Sequence, residues 1–250
     1  MKEKVTAIIQ ARATSERLRG KVFADLSGKT VLEHVFISLK NCPEVPEIYL
    51  ATTINKEDDR IAELAKKYDI PYIRGSENDV LSRFNEVSKI TDSNVFVRIT
   101  ADDPLLDPEV TGKVIKEFTS GDYDYASNII ERSWPRGMDT EVFSRNALER
   151  SVRESDLDEY KEHVTLYIRA NADKFKIKNV SSSPDERMPD LRLCVDTEDD
   201  YKLIEIIFDN LYEEGKVIHV GEVLNFLRDN PKYMEINKHI EQKKTLGKVY

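Results

Sequence analysis

The sequence predicts an α/β fold with a mixed, mostly parallel central sheet flanked by helices. Three observations carry this expectation. Val5, Ala7, Ile8 and Ile9 form an apolar run, as in a central parallel strand covered on both faces. Strand-like and helix-like segments then alternate as far as about residue 120, the pattern of right-handed β-α-β crossovers. Charged loops follow the first and fourth strands, where an open α/β sheet binds its ligand.

Taken in order, residues 30–40 read as a helix, with Val31, Leu32, Val35 and Leu39 at helical spacing. Thr30 is its N-cap and Glu33 completes a capping box. Residues 47–52 are the second strand, and residues 57–68 an amphipathic helix with Ile61, Leu64, Ala65 and Tyr68 on one face. A short strand at 71–74, a helix at 79–88 and a strand at 94–100 follow. Asp107 and Pro108 open the next helix as cap and first-turn proline. Beyond it the spacing gives strands at 123–127 and 141–143, helices at 146–154 and 159–170, and strands at 175–181 and 191–195. Helices at 198–211 and 221–228 precede a charged final stretch that docks as a helix or frays. The expected organisation is one domain over 1–250: a nucleotide-binding half at 1–120, a mixed half at 121–210 and a helical extension at 211–250.

A chain of 250 residues, 40% hydrophobic and 34% charged, can bury a sizeable core. A net charge of −9 argues against general nucleic-acid binding but leaves room for a local nucleotide site. Cys42 and Cys194 lack metal-site spacing and allow at most one bridge. The start of the chain shows no signal-peptide pattern, and no apolar run approaches the ~18 residues of a membrane span. A cytoplasmic protein without membrane contact is the expectation.

Arg12, Arg17, Arg19 and Lys21 crowd the loop after the first strand, with Ser15 and Gly20 among them. Such a loop fits a phosphate chain, because arginine grips two oxygens at once and lysine adds a compact charge. Asp102 and Asp103 follow the fourth strand, where one or two carboxylates and substrate phosphates suffice to hold Mg²⁺. Asp196 ends another apolar segment, and unlike Asp199 and Asp200 it is not explained as a first-turn helix residue. It is therefore the candidate metal partner of Asp102. Residues 134–139 form a proline- and glycine-shaped loop that presents Arg136 and Asp139 for substrate recognition. His163 taken alone reads as a structural histidine. Gly28-Lys29-Thr30 mimics the end of a P-loop but lacks its first glycine and is better explained as a turn. The D-x-D pairs Asp122/Asp124 and Asp156/Asp158 are read as turn chemistry.

Together these blocks resemble the cytidylyltransferases that activate acidic sugars, the CMP-KDO and CMP-sialic acid synthetase superfamily, most closely its SpsF branch. The resemblance rests on Ile9-Gln-Ala-Arg12 with Ser15, Arg17 and Gly20-Lys21, and on Arg74-Gly-Ser-Glu-Asn-Asp-Val-Leu81. It continues in Ile99-Thr-Ala-Asp102, Pro135-Arg-Gly-Met-Asp-Thr-Glu-Val142, Glu162-His-Val-Thr165 and Val195-Asp-Thr197. It implies a Rossmann-like nucleotide-diphospho-sugar transferase (GT-A-like) fold and transfer of CMP from CTP to an acidic sugar in surface polysaccharide synthesis. It places nucleotide on Gln10, Ala11, Arg12, Ser15, Arg17, Lys21, Gly75, Ser76 and Asp79, and sugar on Arg136, Asp139, Glu141 and His163. Arg12, Lys21, Asp102 and Asp196 are the implied catalytic residues, with Mg²⁺ on the two aspartates. Homodimerisation through residues 120–180 is expected. Arg19 replaces a proline common in the family's loop, and Asp103 stands where this branch often has cysteine. The competing classes are a sugar-nucleotide-dependent glycosyltransferase centred on Asp124 and a nucleotide-binding subunit without turnover.

Overall fold

A computed structural model describes residues 3–15 and 17–242. Strand β1 (Val5–Gln10) leads through the basic loop to a hairpin of β2 (Asp25–Leu26) and β3 (Lys29–Thr30). Positive φ at Ser27 and Gly28 makes the hairpin turn, so the false P-loop is a turn. Helix α1 (Val31–Lys40) carries the expected capping box, Thr30 and Glu33 each bonding the other's backbone N–H. Then come β4 (Glu47–Thr53), α2 (Asp59–Lys67), β5 (Tyr72–Gly75), α3 (Val80–Ile90), β6 (Val95–Thr100) and α4 (Pro108–Thr119). The second half supplies β7 (Tyr125–Ser127), β8 (Glu141–Ser144), α5 (Arg145–Glu154), α6 (Asp158–Glu162), α7 (Leu166–Ala170) and β9 (Ile177–Asn179). Helices α8 (Glu198–Leu211) and α9 (Val220–Asp229) follow.

The main sheet has the order β5-β4-β1-β6-β8-β7-β9. Only β8 runs against β1, so the sheet is mixed and mostly parallel. Side chains of β1 alternate between two cores. Val5, Ala7 and Ile9 pack with Val31, Ile61, Val110, Leu203 and Leu224, under α1, α2, α4, α8 and α9. Ile8 packs with Phe84, Leu148 and Ile168 of α3, α5 and α7 on the opposite face. The chain moves outward from β1 to β4 and β5, then returns to β6 on the other side of β1. The carboxyl ends of β1 and β6 therefore flank a topological switch point, where such sheets bind ligands. Among the described residues no helix is long and apolar enough to cross a membrane.

Two expected elements differ. The helix expected at 159–170 is two helices, broken at residues 163–165, and the break lets the Thr165 hydroxyl donate to buried Glu141. The strand expected at 191–195 is an extended segment outside the sheet. Its hydrogen bonds go to separate loops: Leu191 and Leu193 bond Arg136, and the Val195 N–H donates to the Asp102 carbonyl at 2.8 Å. Within the extension expected at 211–250, α9 and a 3-10 turn (Pro231–Glu235) are helical, and residues 243–250 lie outside the described residues.

Asp107 ties this body together. One oxygen accepts the Glu109 N–H at 2.7 Å and caps α4, while the other accepts the Val220 N–H at 2.8 Å at the start of α9. The His219 ring lies 3.2 Å from the first oxygen. Asp107→Ala removes a cap and orphans a buried amide, so unfolding in urea is expected to show a loss of about 2–4 kcal/mol.

Candidate active site

The basic loop is held from below. The Ala13 N–H donates to Asp58 at 2.7 Å, and Asp58 is fully buried and also accepts the Thr53 hydroxyl. Gly20 closes the loop with an N–H to the Ala13 carbonyl at 3.0 Å, at a φ of 72° that glycine adopts without strain. The closure turns Lys21 back into the switch point.

There the Lys21 ammonium bridges Asp102 and Asp196, with Nζ to Asp196 Oδ1 at 2.7 Å. Burial opposes the Lys21 charge, but the two carboxylates outweigh it and raise its pKa above 10.5. Burial likewise opposes ionisation of Asp196, and Lys21, Arg17 and Arg192 overcome it and lower its pKa. Arg17 reaches Asp196 Oδ2 at 2.8 Å and Arg192 reaches it at 3.4 Å. Arg17, Lys21, Asp102 and Asp196 thus come from a loop, a strand end and an extended segment to one point.

Arg12 extends the site toward β5. It lies 3.7 Å from Glu77, which also accepts the Thr14 hydroxyl and the Asn55 amide at 2.6 Å. Gly75 ends β5, and a Cβ there would sit 2.8 Å from Cγ of buried Arg83. Burial, then the nearby Arg12 charge, lower the Arg83 guanidinium to about 10. Ser76 accepts the Asp79 N–H at 3.2 Å, and Asp79 caps α3 through the Ser82 N–H at 2.8 Å. Asp79 therefore has a structural task on this segment. Ser15 stays local, accepting the Leu18 N–H at 3.5 Å, and the Ala11 N–H donates to the Ala51 carbonyl at 3.2 Å.

The other wall is built from buried and half-buried pairs. Arg132 grips Asp139 with two bonds of 2.6 and 2.8 Å. Gly137, at a φ of 101°, lies against the Leu193 backbone, where a Cβ would be 2.6 Å from the Leu193 carbonyl carbon. Burial, then Arg132, lower the Arg136 pKa. Asp103 is buried, and burial, then Asp102 and Asp139, raise its carboxyl well above 3.8. Gln10 accepts the Arg98 Nε–H at 2.9 Å, and Arg98 also pairs with Glu141. Glu141 is 1% exposed and accepts the Tyr125 hydroxyl at 2.5 Å and the Thr165 hydroxyl, which gives it a structural task in this wall. His163 ends α6, half-buried, and burial followed by the Arg98 charge lower its pKa.

Arg98, Arg132 and Arg192 escaped the sequence reading. A charge inside an apolar run, as in Val97-Arg98-Ile99 and Leu191-Arg192-Leu193, was the available signal. Arg19 points away, 76% exposed and 3.2 Å from Glu57. Asp124 accepts the Lys176 N–H at 2.9 Å just before β7. That position is at the amino end of the parallel strands, opposite the site, as expected of turn chemistry. Cys42 and Cys194 are free and buried.

A model of the cytidylyltransferase family matches residues 6–236. The chain belongs to that family. Spore coat polysaccharide biosynthesis protein SpsF of Bacillus subtilis (strain 168) is 32% identical over 231 residues, covering 90% of this chain and 94% of its own. A 3-deoxy-manno-octulosonate cytidylyltransferase of Oleidesulfovibrio alaskensis is 32% identical over 116 residues, covering 44% of this chain and 45% of its own. The solved structure of a cytidylyltransferase from Leptospira borgpetersenii superposes with a TM-score of 0.88 at 27% identity, covering 97% of this chain and all of that one. As a cytidylyltransferase the chain is a nucleotidyltransferase enzyme on the family's Rossmann-like fold.

In this cytidylyltransferase Glu141 is the buried charge on which one wall rests. Burial opposes its ionisation, but Arg98 and then Arg169, with hydroxyl donors, bring its pKa from 4.5 to about 2. A carboxyl depressed on folding stabilises above its unfolded pKa and loses that stabilisation as pH falls through the folded one. Between pH 4.5 and about 2 this group removes up to about 1.4 kcal/mol per pH unit. Glu141→Gln is expected to lower stability at neutral pH and to flatten that part of the acid limb in denaturation at stepped pH.

Proposed function

We propose that the enzyme transfers CMP from CTP to a hydroxyl of an acidic sugar and releases pyrophosphate, supplying surface polysaccharide or glycoconjugate synthesis. The observation that carries the reading is the convergence of Asp102 and Asp196 on the Lys21 ammonium beside Arg17. A relative named for cytidylyl transfer to 3-deoxy-manno-octulosonate supports the acidic substrate, and SpsF supports the polysaccharide role.

Residues 1–120 hold the nucleotide in this reading, with Arg12, Arg17 and Lys21 along the triphosphate and the segment 75–79 near base or ribose. Residues 121–210 hold the sugar, with Arg136 and His163 on its side and Asp139 fixing the wall through Arg132. The sugar hydroxyl oxygen forms a bond to the α-phosphorus as the in-line bond to pyrophosphate breaks, the hydroxyl proton passing to solvent, and the charge developing on pyrophosphate meets the loop cations.

The donor set fits a hard divalent cation. Both carboxylates reach one cationic centre, and carboxylate oxygens are the ligands a hard cation takes. Among the described residues no three His, Cys, Asp or Glu side chains gather into a metal cluster. Two carboxylates match Mg²⁺, which takes its remaining oxygens from phosphate and water. Asp102 and Asp196 would hold the ion, which would supply charge neutralisation at the phosphates.

Incubation with CTP, Mg²⁺ and a panel of acidic sugars should release pyrophosphate. Asp102→Asn and Asp196→Asn should each cut turnover by ~100-fold or more, while Arg19→Ala, at an exposed position, should stay near wild type. Near-wild-type turnover in both aspartate variants would overturn the assignment. Calorimetric titration offers a second check. Mn²⁺ alone should bind weakly, with Lys21 already between the carboxylates, and tightly once CTP is present.

A further inference from the structure

We infer that residues 236–242 form a strut that positions Asp196, with Asn237 as its key positioning residue acting through Asp200 and Arg192. The inference rests on the assignment of Asp196 to the metal-nucleotide site.

Asp196 needs support from behind. In a bound complex a triphosphate competes for Arg17 and Lys21, its two partners on the loop. Arg192 stays, buried at 5% exposure, with Nη2 3.4 Å from Asp196 Oδ2. Arg192 is itself aligned by Asp200, Nε to Oδ1 at 3.2 Å and Nη2 to Oδ2 at 3.1 Å. Its Nη2 also lies 3.7 Å from Cys194 Sγ. Asp200 grips the backbone of the same turn, accepting the Asp196 N–H at 3.3 Å and the Thr197 N–H at 3.1 Å. One carboxylate therefore sets both the main chain of Asp196 and the cation behind it.

The strut closes the arrangement. The buried Asn237 amide donates to Asp200 Oδ1 at 2.9 Å and to the Arg192 carbonyl at 3.0 Å. Gln242 accepts from Arg192 Nη1 at 2.6 Å. Asn237 uses both amide hydrogens to hold the two residues that hold Asp196, and it stands just past the family match, which ends at residue 236. A buried charge pair keeps its geometry only when its other hydrogen-bonding groups are satisfied, and outer partners of metal-binding carboxylates tune affinity.

Calorimetry on the full-length protein with CTP, in Mn²⁺ and separately in EDTA, tests this without a sugar. Asn237→Ala should weaken Mn²⁺-dependent CTP binding by about tenfold, the scale for lost outer partners, and leave the weaker affinity in EDTA unchanged. Asn237→Asp, which faces Asp200 with a like charge, should weaken it further. Gln242→Ala should weaken it less and keep the wild-type melting temperature, so it carries the test if Asn237 variants do not fold. Asp196→Asn is the reference. If it loses Mn²⁺-dependent binding while Asn237→Ala and Gln242→Ala keep it, the strut is wrong and the site assignment stands. If Asp196→Asn binds as wild type, the assignment fails and the strut fails with it. Equal loss in Mn²⁺ and in EDTA for Asn237→Ala would mark a merely structural role and overturn the inference.

Discussion

The Lys21 ammonium between Asp102 and Asp196 is the interaction on which the rest depends. Two carboxylates brought together in a partly buried site repel each other, and one of them would take up a proton unless a cation stood between them. Its positive charge offsets that repulsion and lowers the Asp196 pKa against the cost of burial. The geometry needs a strand end, a loop closed by glycine and an extended segment outside the sheet to meet at one place. The reversal of strand order around β1 brings the first two there. The bond from the Val195 amide to the Asp102 carbonyl brings the third.

Much of this was legible in the chain. The first half alternates strand and helix with strong apolar periods, and its caps use the residue types that best satisfy free amides. Thr30 with Glu33, and Asp107 with Pro108, therefore marked their helices to the residue. The basic loop and the two aspartates were visible because charge concentrated after apolar runs has few structural explanations. The second half was harder to read. The helix break at residues 163–165 goes with a Thr165 hydroxyl bond to Glu141 on β8, and no local period encodes that. The segment around Leu193 alternates like a strand, yet its partners lie in two separate loops, so pairing and not pattern decided its state.

The same holds for arginines inside apolar segments. Arg98 and Arg192 interrupt apolar segments, and each is buried or half-buried against carboxylates and amides that arrive from distant positions. Charge buried in this way is costly unless every partner is present. The wall opposite Arg12 is consequently built from networks rather than isolated pairs: Gln10-Arg98-Glu141-Thr165, and Arg132-Asp139 near buried Asp103.

Lys21 and Asp196 are 175 positions apart along the chain. Contacts of such long separation close the largest loops and form only after shorter-range structure has already met much of the entropic cost. A partly folded intermediate, even one with a formed β1 and basic loop, therefore lacks the assembled junction. In the proposed reading, binding energy accrues to the finished molecule alone, and nucleotide in the surroundings shifts the balance between native and incomplete chains by mass action. Occupancy of the proposed site is then also a readout of whole-chain integrity.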